Sequence, residues 1–298
     1  MFALILFVFI FIFGLIVGSF LNVIIFRLET GEGIVKKRSH CPHCFHVLRW
    51  YDLIPVLSFV LLGGKCRDCA KPISWQYPLV EISTGALFVL VVSIFWYLGF
   101  DPSFAAGENI LDAFGGWPFI VGNLIIIGFW LFAVSCLIIV FVYDLRHYII
   151  PDSVIYPVIV VSILFRVFEV LDAGHWNLYE IWNSGFLAWG QFLIYLACAV
   201  GATIFFLIIV LLTRGRGMGL GDVKLAFLMG LVLGWPQILL ALLLAFGSGA
   251  IVGVGLIIAN RKTLKSQIPF GPFLAAGTIF ALLAGPFLIN WYFNFLGL

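Results

Sequence analysis

Charge is scarce in this chain. Only 10% of its 298 residues are Asp, Glu, Lys or Arg, whereas 63% are hydrophobic, and its mean hydropathy is +1.18. So little charge excludes a soluble globular protein, in which about a quarter of residues are charged. Several apolar runs exceed the roughly 20 residues that cross about 30 Å of hydrocarbon, too many for one buried core helix. The chain reads as a multi-pass membrane protein. Its first run, Met1 to Phe26, has no basic residue before it and no small-x-small motif behind it. Those absences exclude a secretory signal peptide and leave a retained first helix.

Apolar runs between polar breaks predict eight spans, at residues 2–26, 79–100, 119–142, 149–170, 187–212, 222–235, 238–259 and 272–296. The sixth is short. At 1.5 Å per residue it covers about 21 Å, less than the hydrocarbon thickness, so it is expected to be tilted, thinned around or irregular. Gly14-x-x-x-Gly18 and Gly249-x-x-x-Gly253 predict close helix contacts, since glycine lets backbones approach.

Lysine and arginine are missing from alternate loops. Asp101 to Pro118, Leu171 to Phe186 and Trp235 to Gln237 hold neither. Arg27, Lys36, Lys37, Arg38, Arg49, Lys65, Arg67 and Lys71 follow span 1, Arg146 follows span 3, Arg214 and Arg216 follow span 5, and Arg261, Lys262 and Lys265 follow span 7. The positive-inside rule then puts the basic loops in the cytoplasm and both termini outside. Arg166 breaks the pattern. It lies within span 4 toward its outer end, where it is expected to snorkel or to pair with Glu169 as a structural residue.

Cysteine is also sparse, and four of the six fall in a polar insert, residues 27–78. About fifty residues do not bury a self-sufficient core, so a staple is expected. Cys41-Pro-His-Cys44 and Cys66-Arg-Asp-Cys69, separated by 21 residues, have the spacing of a tetrathiolate zinc site. Such a closed site has no open coordination position and reads as structural. Two disulfides are the alternative, disfavoured in a reducing cytoplasm. His43 and His46 are competing ligands that four thiolates make unnecessary, and Cys136 and Cys198, inside apolar spans, read as small core residues.

Acids bordering membrane spans are costly, so each needs a partner or a task. Asp144 closes span 3 and Asp222 opens span 6. One span out and one back separate them, which returns both carboxylates to the same face. A pair sharing one proton suits peptide hydrolysis: the ionised member takes a proton from water while the protonated member polarises the scissile carbonyl. Like charges close together keep such a pair singly protonated. The bland alternative pairs Asp144 with Arg146 or His147, and Asp222 with Lys224 or a helix cap. Gly215, Gly217, Gly219 and Gly221 favour catalysis, because a loop with little side-chain bulk admits another extended chain. The run lacks a phosphate-loop pattern and a preceding strand, which sets a nucleotide loop aside. A transporter with a zinc-ribbon regulatory insert is the rival class, but its carboxylates belong near the bilayer midplane. A membrane methyltransferase with purely structural acids is the other rival.

Seven stretches carry a resemblance. They are Gly18-Ser-Phe-Leu-Asn-Val-Ile-Ile-Phe-Arg27, Arg38-Ser-His-Cys-Pro-His-Cys44, Trp50-Tyr-Asp-Leu-Ile-Pro-Val-Leu-Ser58, Ile73-Ser-Trp-Gln-Tyr-Pro-Leu-Val-Glu81, Asp144-Leu-Arg-His-Tyr-Ile-Ile-Pro-Asp152, Gly219-Leu-Gly221-Asp222 and Pro269-Phe-Gly-Pro-Phe273. Through them the chain resembles the type IV prepilin peptidases, within the G-x-G-D aspartyl proteases. The resemblance implies catalytic aspartates at Asp144 and Asp222. It also implies removal of a short basic leader from prepilins and pseudopilins at the cytoplasmic face of the bacterial inner membrane. Many such enzymes then methylate the new amino terminus using S-adenosylmethionine. Members without the four-cysteine domain are commonly peptidases only, and this chain has that domain. No soluble methyltransferase fingerprint accompanies it. Glu81 and Asp152 fall inside family motifs: Glu81 is read as structural or as a contact to substrate or methyl donor, and Asp152 as a cap of span 4 or an orienter of Asp144. Leu53 stands where many members carry asparagine.

The expected fold is therefore an all-α polytopic membrane protein with about eight transmembrane helices and a small cytoplasmic zinc-ribbon-like insert between helices 1 and 2. Residues 1–26 form the first helix, 27–78 the zinc-binding domain and 79–298 the transmembrane protease domain. Expected partners are prepilin and pseudopilin substrates and membrane lipid, with no nucleic acid.

Overall fold

The computed structural model describes residues 2–31, 38–99, 117–172, 178–215, 217–261, 263 and 268–296. Among them the regular elements are helical: α1 (Phe2–Thr30), a 3-10 turn (Trp50–Leu53), α2 (Leu57–Leu61), α3 (Gln76–Gly99), α4 (Trp117–His147), α5 (Asp152–Asp172), α6 (Leu178–Leu212), α7 (Leu220–Leu233), α8 (Gln237–Ile258) and α9 (Gly271–Leu296). Most of the basic-poor loop Asp101 to Pro118 and part of Leu171 to Phe186 lie outside the described residues, as do Lys36, Lys37, Arg216, Lys262 and Lys265.

Seven helices, α1, α3, α4, α5, α6, α8 and α9, contain stretches long and apolar enough to cross a membrane. The all-helical, multi-pass architecture with an insert between the first two spans is the expected one. The short sixth span is α7, a helix of 14 residues. It is apolar on every side because protein encloses it: Leu225, Ala226, Met229 and Leu231 are all 0% exposed. Its 14 residues agree with the short span expected there.

The chain divides into two compact units, Met1–Ile139 and Val140–Leu298. In the first, α1 and α3 pack closely at glycines. A Cβ on Gly14 would lie 2.6 Å from Gly85 Cα, and one on Gly18 would lie 2.7 Å from Glu81 Cα. The expected Gly14/Gly18 contact is therefore present. In the second unit, the Gly249/Gly253 pair is not a backbone contact. A Cβ there would meet Phe270 at 3.4 Å and Ile268 at 3.7 Å, which are ordinary side-chain contacts. α8 and α9 approach instead at Gly277, where a Cβ would sit 2.6 Å from the Ala241 carbonyl oxygen. Spacing of small residues finds a smooth helix face but does not find where another helix crosses it.

The tightest approach in the second unit brings α7 onto α6, where a Cβ on Gly230 would clash with the backbone of Cys198 and Ala199. Alanine at this position gains about 1 kcal/mol of helix propensity. Overpacking costs about 1–3 kcal/mol, and the obstacle here is backbone, which yields poorly. Gly230→Ala is therefore expected to lower the unfolding temperature of the purified protein in detergent. Gly128→Ala, facing open space on α4, should leave it unchanged or raise it slightly.

Candidate functional site

In the second unit, helix α4 ends just beyond Asp144. Tyr148 takes a left-handed conformation (φ 58) and its N–H donates to the Asp144 carbonyl at 2.9 Å. The chain then runs through Ile150 and Pro151 into α5. Asp144 is only 4% exposed. Its carboxylate accepts a hydrogen bond from the backbone N–H of Gly271, the first residue of α9. A Cβ on Gly271 would lie 2.5 Å from Asp144 Oδ2 and 3.3 Å from Ile150 Cδ1, so this position has room only for a hydrogen.

Asp222 occupies the first turn of α7, three residues after the N-cap Gly219. Its Oδ2 accepts the Gly219 N–H at 3.1 Å, the half of a capping box that a glycine N-cap leaves available. Asp222 is 9% exposed, and the charge of Asp144 reaches it. Gly221 faces Ile150, with a Cβ position 3.1 Å from that of the isoleucine. Thus the end of α4, which carries Asp144, and the beginnings of α7, which carries Asp222, and of α9 gather around Ile150.

Lys224 is not the partner of Asp222. It pairs with Asp152 at 2.6 Å and lies 4.9 Å from the centre of the Tyr156 ring. That pair ties the first turn of α5 to α7. Gly271 was not singled out by sequence reasoning. Its signal was present in Pro269-Phe-Gly-Pro-Phe273, but nothing in the motif indicates that its glycine faces Asp144.

The insert belongs to the first unit and is built twice. Cys41 N–H donates to His46 O (2.9 Å), Phe45 N–H to Cys41 O (2.9 Å) and Leu48 N–H to Ser39 O (2.9 Å). Twenty-five residues later, Cys66 donates to Lys71 (2.8 Å), Ala70 to Cys66 (2.9 Å) and Ile73 to Gly64 (2.7 Å). Phe45 (φ 58) and Ala70 (φ 55) make the same left-handed step after the second cysteine of each knuckle. Arg67 forks onto Asp52 at 3.0 and 2.9 Å, tying the 3-10 turn to the second knuckle.

The four sulfurs lie within 4.8 Å of one another, with Cys41 Sγ and Cys69 Sγ 3.9 Å apart. A tetrahedron with metal–sulfur bonds of about 2.3 Å has edges of about 3.8 Å, so this donor set fits such an ion. Neither His43 nor His46 belongs to the cluster, and His46 lies instead 3.7 Å from Asp68. Backbone hydrogen bonds from Cys69 and Asp68 bring the Cys66 thiol down to about 7. The His46 backbone bond favours the Cys44 thiolate, but desolvation and hydrogen bonds with Cys41 and Cys69 push that thiol up to about 11. A divalent cation bound among these four sulfurs would take all of them as thiolates. Cys136 is buried and Cys198 half-buried in their helices.

Glu81, 6% exposed, also receives a backbone amide: Val56 N–H donates to its Oε2 at 2.8 Å. Val56 has φ 59 and ψ −48, a positive-φ γ-turn closed by Leu57 N–H on Pro55 O. A β-branched residue is strained there, by about 1–3 kcal/mol. Glu81 therefore clamps the insert to α3.

Residues 12–95 match the family model described as the Bacterial Peptidase A24 N-terminal domain, and residues 131–254 match that of the Type IV leader peptidase family. The first match holds the four cysteines and Glu81; the second holds Asp144, Arg166 and Asp222. The chain is 31% identical to a prepilin leader peptidase/N-methyltransferase of Aeromonas hydrophila, over 96% of this chain and 94% of that protein. It is also 31% identical to a Bacillus subtilis protein of the same name, over 95% and 96%. A third, from Pseudomonas aeruginosa, is 30% identical over 95% and 92%. No solved structure matches.

Gly271→Ala places a methyl group against the Asp144 carboxylate. A displacement of about 1 Å at a reacting group costs on the order of 100-fold in rate. Gly271→Ala is expected to lower peptidase kcat by about that factor in steady-state assays, while circular dichroism and elution volume stay unchanged.

Proposed function

We propose that this chain, which belongs to the type IV leader peptidase family, removes the basic leader from type IV prepilins and type II secretion pseudopilins with Asp144 and Asp222 as its catalytic pair. One observation carries the reading: two buried carboxylates from different helices lie within reach of each other's charge, each held by a backbone amide. The chain is an enzyme, a peptidase whose nearly full-length relatives are named as N-methyltransferases as well. We extend that second activity to this chain.

In the proposed reaction, the scissile peptide enters as an extended strand beside the Gly217–Gly221 loop. The ionised aspartate takes a proton from water as the oxygen attacks the carbonyl carbon, and the protonated aspartate hydrogen-bonds the carbonyl oxygen. Collapse of the tetrahedral intermediate breaks the C–N bond, with a proton passing to the leaving amine. The Gly271 and Gly219 amides hold the two carboxyl groups in place without supplying a competing countercharge. S-adenosylmethionine would supply the methyl group for the new amino terminus.

Residues 27–78 form, in this reading, a cytoplasmic zinc-binding domain, with residues 1–26 as the preceding helix and 79–298 as the protease domain. Cys41, Cys44, Cys66 and Cys69 would hold one zinc ion as a structural staple between the two knuckles. The positive-inside bias supports an inner-membrane location with the pair at the cytoplasmic face.

Asp144→Asn and Asp222→Asn are each expected to reduce prepilin cleavage by about 1,000-fold or more, read as the product's amino terminus by mass spectrometry. Either variant cleaving at the wild-type rate sinks the pair. The wild-type rate should follow a bell-shaped pH profile, because one carboxyl group must be charged and one neutral. With S-adenosylmethionine added, the product should gain a methyl group; a product that never does removes the transfer activity from the proposal. Cleavage of external prepilin by inside-out but not right-side-out vesicles is the expected outcome for a cytoplasmic site.

Elemental analysis should find one zinc per chain. Cys41→Ser and Cys66→Ser are expected to lose it and to expose residues 38–75 to limited proteolysis. A metal-free insert as resistant as the wild type would overturn the structural role.

A further inference from the structure

Helix α7 ends at Gly234 (φ 64), where a side chain would collide with the ring of Tyr195. The last turn of α7 is enclosed, with Leu231 at 0% and Val232 at 3% exposure, so water does not serve its unpaired carbonyls. Gly230 O accepts the Gly234 N–H at 3.0 Å. The next two carbonyls go to one side chain from α5: Arg166 Nε donates to Leu231 O at 2.9 Å and Nη2 to Val232 O at 2.7 Å. Nη1 pairs with Glu169 at 2.6 Å, and the guanidinium carbon lies 3.6 Å from the centre of the Tyr195 ring on α6. Of the two expectations for Arg166, pairing with Glu169 is met and snorkelling is not, since the residue is only 3% exposed. Its principal partners are the carbonyls at the end of α7, which no charge pattern in the sequence reveals.

We infer that Arg166 is a positioning residue for Asp222: it locks the axial position of α7 from the end opposite the carboxylate. This rests on the proposed aspartate pair. Asp222 and Leu231 are nine residues apart, about 14 Å along one short helix. At the Asp222 end, the chain enters α7 through Gly217, Gly219 and Gly221, residues that add little stiffness of their own. The Lys224–Asp152 pair at that end is partly exposed, and such pairs hold weakly. The Gly230–Ala199 contact sets how close α7 comes to α6 but carries no directional bond along the helix axis. At the other end stand two directional bonds from a planar cation, aligned with the negative pole of the helix dipole and backed by an aromatic face. Sliding or turning α7 breaks both bonds at once, so depth and rotation of Asp222 against Asp144 are set there.

The test measures kcat and KM for prepilin cleavage by the full-length protein in lipid nanodiscs. Arg166→Lys keeps the charge, but a single ammonium does not fork onto two successive carbonyls while lying flat on a ring. It should lower kcat at least tenfold with KM within about threefold of wild type, at unchanged elution volume and metal content. Glu169→Gln removes the ion pair but keeps the fork, and should stay within about threefold of wild type in both constants. Tyr195→Leu removes the stacking face and should lower kcat about fivefold, which keeps the inference testable if Arg166→Lys does not accumulate. Wild-type kcat in Arg166→Lys or in Tyr195→Leu, or losses confined to KM, overturns it. A fall in Glu169→Gln equal to that in Arg166→Lys also overturns it, by assigning the effect to the ion pair. Full cleavage by Asp222→Asn ends the aspartate-pair reading and this inference with it. Loss in Asp222→Asn with none in Arg166→Lys ends the inference alone.

Discussion

A carboxylate enclosed by apolar helices stays only if something replaces the water it gave up. Here the replacement is backbone amide. Asp144 is held by the first N–H of α9, and Asp222 by the N-cap amide of α7. Helix starts present donors that have no partner inside the helix, together with the positive end of the dipole. They stabilise a negative charge without a lysine or arginine, which would bind the carboxylate and stop it from exchanging protons. The nearest cation on α7, Lys224, is occupied by Asp152. The arrangement of α4, α7 and α9 around Ile150 follows from that requirement, since each acid has to meet the beginning of a helix.

The same rule acts in the opposite sense elsewhere. Glu81 and Arg166 are the charges whose partners are irregular backbone: a strained turn in the first case, the end of a short helix in the second. Glu81, Arg166, Asp144 and Asp222 thus stand where regular helical hydrogen bonding stops. In this way the Val56 N–H of the γ-turn and the Leu231 and Val232 carbonyls at the end of a 14-residue helix find partners away from water.

Much of this was legible in the sequence, for identifiable reasons. Long apolar runs mark helices whatever they pack against, so the seven crossing-length helices were found. The cysteine spacing foretold a four-sulfur cluster because each knuckle is local and the pair is close in sequence. Asp144 and Asp222 stood out because acids are rare at span ends. What was not legible depends on distant neighbours. That protein encloses α7 depends on the helices around it, not on its own residues. Gly277, not Gly249 or Gly253, forms the crossing point with α8, and Gly271 reaches Asp144 across more than a hundred residues of chain. Arg166 looked like an exception to a charge rule, because its main partners are backbone carbonyls and carbonyls leave no mark on residue identity.

The doubled knuckle has a consequence for how the insert assembles. Each half closes its own hydrogen bonds over no more than ten residues, Ser39 to Leu48 and Gly64 to Ile73, whereas the sulfur cluster joins knuckles whose cysteines are 22 to 28 residues apart. Short loops close fast and at small entropic cost, and longer ones follow. The chain therefore carries a preformed two-sulfur claw, and the order of folding is written into the repeat as two local hairpins followed by one joining event.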